Sequence, residues 1–149
     1  MNIEVPILIV EDDENDVFFL RKALQLEGIS DQIRSVGDGE EAICYLKGRG
    51  NYLDRLRFPF PQVIFTDLKM PRKTGFDLLE WLRSHPECAV IPVMVLSSSQ
   101  LDSDVRKAYQ MGANAYLAKT AVFDDLRAML RASHKFWAIC EKPEASAKC

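Results

Sequence analysis

The stretch Val63-Ile64-Phe65-Thr66-Asp67-Leu68-Lys69-Met70-Pro71 decides the fold. Its first four residues form a short run with no polar alternation, which reads as a strand buried on both faces. The run ends in a carboxylate, and a proline turn follows. In open α/β sheets ligands bind outside the carboxyl ends of the strands, so Asp67 is well placed for chemistry. The first apolar run, Ile7-Leu8-Ile9-Val10, also ends in acid, Glu11-Asp12-Asp13. If the two strands are neighbours, at least three carboxylates converge at one sheet edge. Such a cluster repels itself unless something positive sits in it. A hard divalent cation with oxygen ligands meets that need.

Working outward, short apolar runs alternate with amphipathic segments, the pattern of βα repeats around a parallel sheet. Strands are expected near 7–10, 33–36, 63–66, 93–96 and 115–118. The first helix carries Val17, Leu20 and Leu24 on one face and stops at Gly28. Others are expected over about 40–47, around Phe76, Leu79 and Leu82, over 103–111, and over 124–140. The third should end near His85-Pro86, because proline disfavours helix at the residue before it. A longer connection, 49–61, carries Pro59 and Pro61. Right-handed crossovers bring all strand carboxyl ends to one edge. That edge then offers Glu11, Asp12 and Asp13, then Asp38, Asp67, Ser97 and Lys119. Acids, a hydroxyl and one lysine there make a site for phosphate plus metal. Asp13, Glu14 and Asp16 read only as acids that complement the first helix's dipole.

Composition narrows the function classes. A chain of 149 residues fits one domain, here 1–140, with a polar tail over 141–149. The net charge of −3 offers no nucleic-acid surface and no attraction to an anionic membrane. Cys44, Cys88, Cys140 and Cys149 are scattered, and only two histidines are present, so zinc spacing is lacking. The expectation is reduced thiols in a cytoplasmic protein. The apolar start is too short for a signal peptide, and no stretch is long enough to span a bilayer.

Together, Val10-Glu11-Asp12, Thr66 to Pro71 with Gly75, Val95-Leu96-Ser97-Ser98, and Gly112 to Lys119 resemble a bacterial response-regulator receiver domain. The resemblance runs from about Pro6 to Trp137 and is most similar to the regulators paired with phytochrome-type histidine kinases. It implies a flavodoxin-like five-stranded parallel sheet of order 2-1-3-4-5, with helices on both faces. It implies that Asp67 accepts a phosphoryl group from a sensor histidine kinase or a phosphotransfer protein. It implies a Mg²⁺ site of Asp12, Asp67 and the Lys69 backbone carbonyl, with Glu11 acting through water. Lys119 and Ser97 would hold the phosphoryl oxygens, and Tyr116 would be an aromatic switch. Helix one, with Phe18 and Phe19, would dock the kinase. Helix four, strand five and helix five would form a homodimer surface.

The pattern departs from the family at Thr120, where a proline, often in a cis peptide, is usual. A non-proline cis bond costs roughly 2.5–4 kcal/mol, so a trans Lys119–Thr120 bond is expected. This leaves a second reading, a degenerate receiver that binds partners without phosphorylation. A haloacid-dehalogenase type of phosphatase would need a second aspartate at position 69, which is lysine. Gly37-Asp38-Gly39-Glu40-Glu41-Ala42 imitates a dinucleotide fingerprint, but it follows the second strand, and its two glutamates would repel a pyrophosphate.

Overall fold

The computed structural model describes residues 5–30 and 32–143. Five βα units follow one another: β1 (Ile7–Val10), α1 (Glu14–Leu26), β2 (Ile33–Val36), α2 (Gly39–Lys47), β3 (Val63–Thr66), α3 (Gly75–Arg83), β4 (Val93–Ser97), α4 (Asp102–Gln110), β5 (Ala115–Ala118) and α5 (Phe123–Ile139). All strand pairings are parallel, in the order β2-β1-β3-β4-β5. The strands fall where the apolar runs place them, and the helices start or stop within one or two residues of expectation. Residues 144–149 of the expected tail lie outside the described residues.

Alternation along the strands sorts their side chains into two cores. Leu8, Val10, Ile64, Val93 and Val95 face α2, α3 and α4. Ile7, Ile9, Val63, Phe65, Met94 and Leu96 face α1 and α5. Every residue of β1 and β3 is buried, which is why these two strands read as unbroken apolar runs. β5 lies at the sheet edge and is only partly covered.

Local signals start the helices. Asp13 caps α1, accepting from the amides of Asn15 and Asp16. Asp38 caps α2. Thr74 and Asp77 form a reciprocal capping box on α3. The connection 49–61 is ordered by a short 3₁₀ turn at Gly50–Tyr52 and by Tyr52 and Phe58 packing on Tyr45, whose hydroxyl donates to the Pro59 carbonyl. Cys44 and Cys140 are free thiols, Cys88 is fully buried, and Cys149 lies outside the described residues. Among the described residues no helix is long and apolar enough to cross a membrane.

An ion-pair clip that the sequence reading did not anticipate ties α1 to α5. Glu27 accepts from Arg131 at 2.6 Å and from Arg127 at 2.8 Å. These hydrogen bonds, Arg131's first, pull the Glu27 carboxyl from 4.5 down to about 2. Because the folded value is the lower one, the clip's contribution is complete above pH 4.5 and fades as pH falls toward 2. Glu27→Gln should therefore melt below wild type at pH 7, with the gap closing between pH 4.5 and 2. Paired thermal melts across that range check it; a constant gap would contradict the assignment.

Candidate phosphoacceptor and metal site

The site forms where the strand register brings the carboxyl ends together. Val10 and Thr66 are partners across β1 and β3, and the Asp67 amide donates to the Val10 carbonyl at 3.0 Å. The Glu11 amide donates to Val36 on the other side of β1. Ser97 and Ala118 pair across β4 and β5, and the Lys119 amide donates to the Ser97 carbonyl. Glu11, Asp67, Ser97 and Lys119 are thus held at one edge by sheet hydrogen bonds.

Glu11, Asp12 and Asp67 each present a carboxylate oxygen within 4.8 Å of the others. Asp12 faces solvent, while Glu11 and Asp67 are buried. Lys119 reaches into this cluster, with Nζ 3.0 Å from Asp67 Oδ2 and 3.1 Å from Glu11 Oε1. It also donates to Asp16 Oδ2 at 2.8 Å, so one ammonium answers three carboxylates. Burial, and then the Asp67 charge, push the Glu11 carboxyl up to about 8 against the pull of Lys119. Its carboxylate partners raise the Lys119 ammonium above its usual range despite partial burial. A donor set of hard oxygens carrying uncompensated charge fits a divalent cation.

Asp16 is a correction. It is not merely a dipole-complementing acid but a direct partner of Lys119. The signal lay in the helix geometry: Asp16 sits one turn before the buried Leu20, and helical side chains lean toward the N-terminus, here toward the strand ends. Thr66 was also missed; its buried hydroxyl donates to the Asp67 carbonyl at 2.8 Å.

Around Asp67, the Leu68 amide donates to Oδ1 at 2.7 Å. Ser97 is 2% exposed, and its Oγ accepts from the Ser99 amide. The Ser99 hydroxyl donates to Asp104 at 2.6 Å, and α4 has no side-chain cap at its N-cap position, Leu101. Tyr116 is half-buried, with its hydroxyl donating to the Ser99 carbonyl at 2.7 Å. Ser97 and Tyr116 therefore grip the same β4–α4 loop. Every peptide bond among the described residues is trans, Lys119–Thr120 included, and the Thr120 hydroxyl accepts from the Val122 amide ahead of α5. Lys69, two residues after Asp67, is exposed.

The family description "Response regulator receiver domain" matches residues 7–131. The chain belongs to the response-regulator receiver family. It is 32% identical to Response regulator Rcp1 of Synechocystis sp. over 131 residues, 88% of this chain and 87% of Rcp1. Its fold matches the phosphorylated cyanobacterial phytochrome response regulator RcpA at a TM-score of 0.85 and 30% identity, over 95% of this chain and all of RcpA. It matches RPA3017, a response regulator in red light signaling of R. palustris, at 0.87 and 32% identity, over 94% and 99%. The Mn²⁺-bound form of Rcp1 aligns at 0.81 and 30% identity, over 94% and 99%. A receiver of this family is a signalling domain. Among these relatives are regulators that are phosphorylated, bind a divalent metal and serve phytochromes.

Proposed function

We propose that this receiver accepts a phosphoryl group on Asp67, with Mg²⁺, from a histidine kinase of the phytochrome type or from a phosphotransfer protein. The observation that carries the reading is the Lys119 ammonium, held at 3.0 Å from Asp67 inside a cluster of acids that it cannot neutralise alone. An Asp67 carboxylate oxygen attacks phosphorus, the P–N bond of the donor phosphohistidine breaks, and the imidazole leaves with the electron pair, taking up a proton. Bound Mg²⁺ supplies charge neutralisation at the phosphoryl oxygens. Asp12, Asp67 and the Lys69 backbone carbonyl would hold it, with the Glu11 carboxylate beside them. Asp67 is oriented by the hydrogen bond its amide donates to the Val10 carbonyl and by the one its Oδ1 accepts from the Leu68 amide. Lys119 and the Ser97 hydroxyl stabilise the transferred charge. The domain thereby promotes its own phosphorylation and later hydrolysis.

The new charge draws on Ser97 and Lys119, which end β4 and β5. Tyr116, bonded to Ser99 on the same loop, follows, and the α4-β5-α5 surface changes. That surface exposes Leu101, Tyr109 and Phe136 and serves a homodimer or target contact. Phe18 and Phe19, both exposed on α1, dock the kinase. The degenerate-receiver reading has no observation in its favour: the trans bond at Thr120 leaves Lys119 on the acceptor.

Borohydride trapping tests this reading. Treatment with phosphoramidate, a small phosphohistidine mimic, and then borohydride should convert residue 67 to homoserine in wild type. A peptide map showing no conversion, or conversion elsewhere, would overturn it.

A further inference from the structure

The β3–α3 loop, residues 68–74, carries one unexplained piece of backbone strain. Arg72 has φ +63°, alone among the described non-glycine residues in the left-handed region. A side chain with a Cβ stays there only where its surroundings hold it. Here the hold is visible. Arg72 Nε and a terminal nitrogen both donate to Asp38 Oδ2, at 2.7 and 2.5 Å. Asp38 is 5% exposed, and its other oxygen accepts from the Glu41 amide, so it is itself fixed by α2.

Two neighbouring contacts lie alongside. The Gly39 amide donates to the Lys73 carbonyl at 2.8 Å, and a Cβ at Gly39 would lie 2.8 Å from that same oxygen. Lys73 pairs with Glu40 at 3.4 Å. The β2–α2 and β3–α3 loops are therefore zipped together at three successive points. The far end of the loop closes back on its start, with the Gly75 amide donating to the Leu68 carbonyl.

We propose that Asp38 and Arg72 are a positioning pair that sets the β3–α3 loop before a divalent cation arrives. The proposal rests on the metal site assigned to Asp12, Asp67 and the Lys69 carbonyl. A backbone carbonyl has no rotamers, so its direction is fixed only by the path of the loop that carries it. A loop ordered in advance spares the cation the cost of ordering it. An exposed arginine needs no left-handed backbone to reach water. This one adopts that backbone and aims at a buried carboxylate 34 residues away in sequence.

The test is Mn²⁺ titration by calorimetry, with metal-free amide exchange of residues 68–75, on wild type, Arg72→Gly, Asp38→Asn and the double variant. Glycine suits the +63° backbone, so Arg72→Gly removes the clamp without adding strain. Asparagine keeps an oxygen for the α2 cap while losing the charge that holds Arg72. Each single variant is expected to weaken Mn²⁺ binding on the order of tenfold and to speed exchange in the loop. The double variant should match a single one, and the loss of Mn²⁺ affinity in Arg72→Gly should exceed what any change in its melting temperature accounts for. Wild-type affinity and exchange in Arg72→Gly, additive losses, or losses that merely track melting temperature would overturn the pair. Wild-type protein that binds no Mn²⁺ would overturn the pair and the metal reading together; binding that is unchanged in the variants sinks the pair alone.

Discussion

Lys119→Met is expected to bind Mg²⁺ more tightly than wild type and yet to accept phosphoryl groups far more slowly. The two effects have one cause. Nζ sits 3.0–3.2 Å from Asp67 and Glu11, where its charge opposes an arriving cation. Removing a like charge from a partly solvated site is worth on the order of 1–2 kcal/mol, or about tenfold in affinity. During transfer the same ammonium stabilises charge on the phosphoryl group, and loss of one such preorganised donor costs about 10²–10³ in rate. Three carboxylates also lose their common cation. The metal-free variant should therefore be less stable than wild type, and Mg²⁺ should restore more stability to it than to wild type. Calorimetric Mg²⁺ titration with a phosphorylation time course checks both halves. Weaker metal binding with an unchanged rate would contradict the assignment of Lys119.

Gly75→Ala is expected to be the most damaging single-methyl addition near the site. A Cβ there would stand 2.1 Å from the Asp67 carbonyl oxygen, far inside contact distance. Neither side yields easily. Gly75 opens α3, whose capping box is formed by its neighbours Thr74 and Asp77, and the Asp67 carbonyl is held by the Thr66 hydroxyl. Overpacking of this kind costs about 1–3 kcal/mol, and a backbone obstacle belongs at the upper end. For a domain of this size that lowers the melting temperature by roughly 10 °C. Because the displaced atom belongs to Asp67, the proposed acceptor, phosphorylation should fall further than stability predicts. Melting curves beside the phosphorylated fraction of the still-folded protein measure both. A melting temperature within about 2 °C of wild type would show that the close approach is not obligatory.

The parts of the site legible in the sequence were those that sit directly on strand ends. Asp67, Ser97 and Lys119 each follow an apolar run, and parallel pairing alone aligns them. The strands were readable because β1 and β3 are buried on both faces and leave no polar interruption. What was not legible depends on side chains that reach between elements. Asp16 looked like any first-turn acid until α1 was seen to aim it at Lys119. Glu27 lies about a hundred residues from Arg127 and Arg131, and nothing local announces that the end of α1 meets the body of α5. Asp38 sat in a motif that imitates a dinucleotide loop, yet it caps α2 and holds Arg72. Thr120 was legible in the opposite sense: the absent proline predicted the trans bond, and the hydroxyl found a turn partner in Val122.

The most direct measurement is intact mass after incubation with acetyl phosphate, for wild type and Asp67→Asn, with Mg²⁺ and with the metal chelated. The account predicts one phosphoryl adduct on wild type with Mg²⁺, none after chelation, and none on Asp67→Asn. Folded wild type without an adduct in the presence of Mg²⁺, or an adduct that persists in Asp67→Asn, would contradict it.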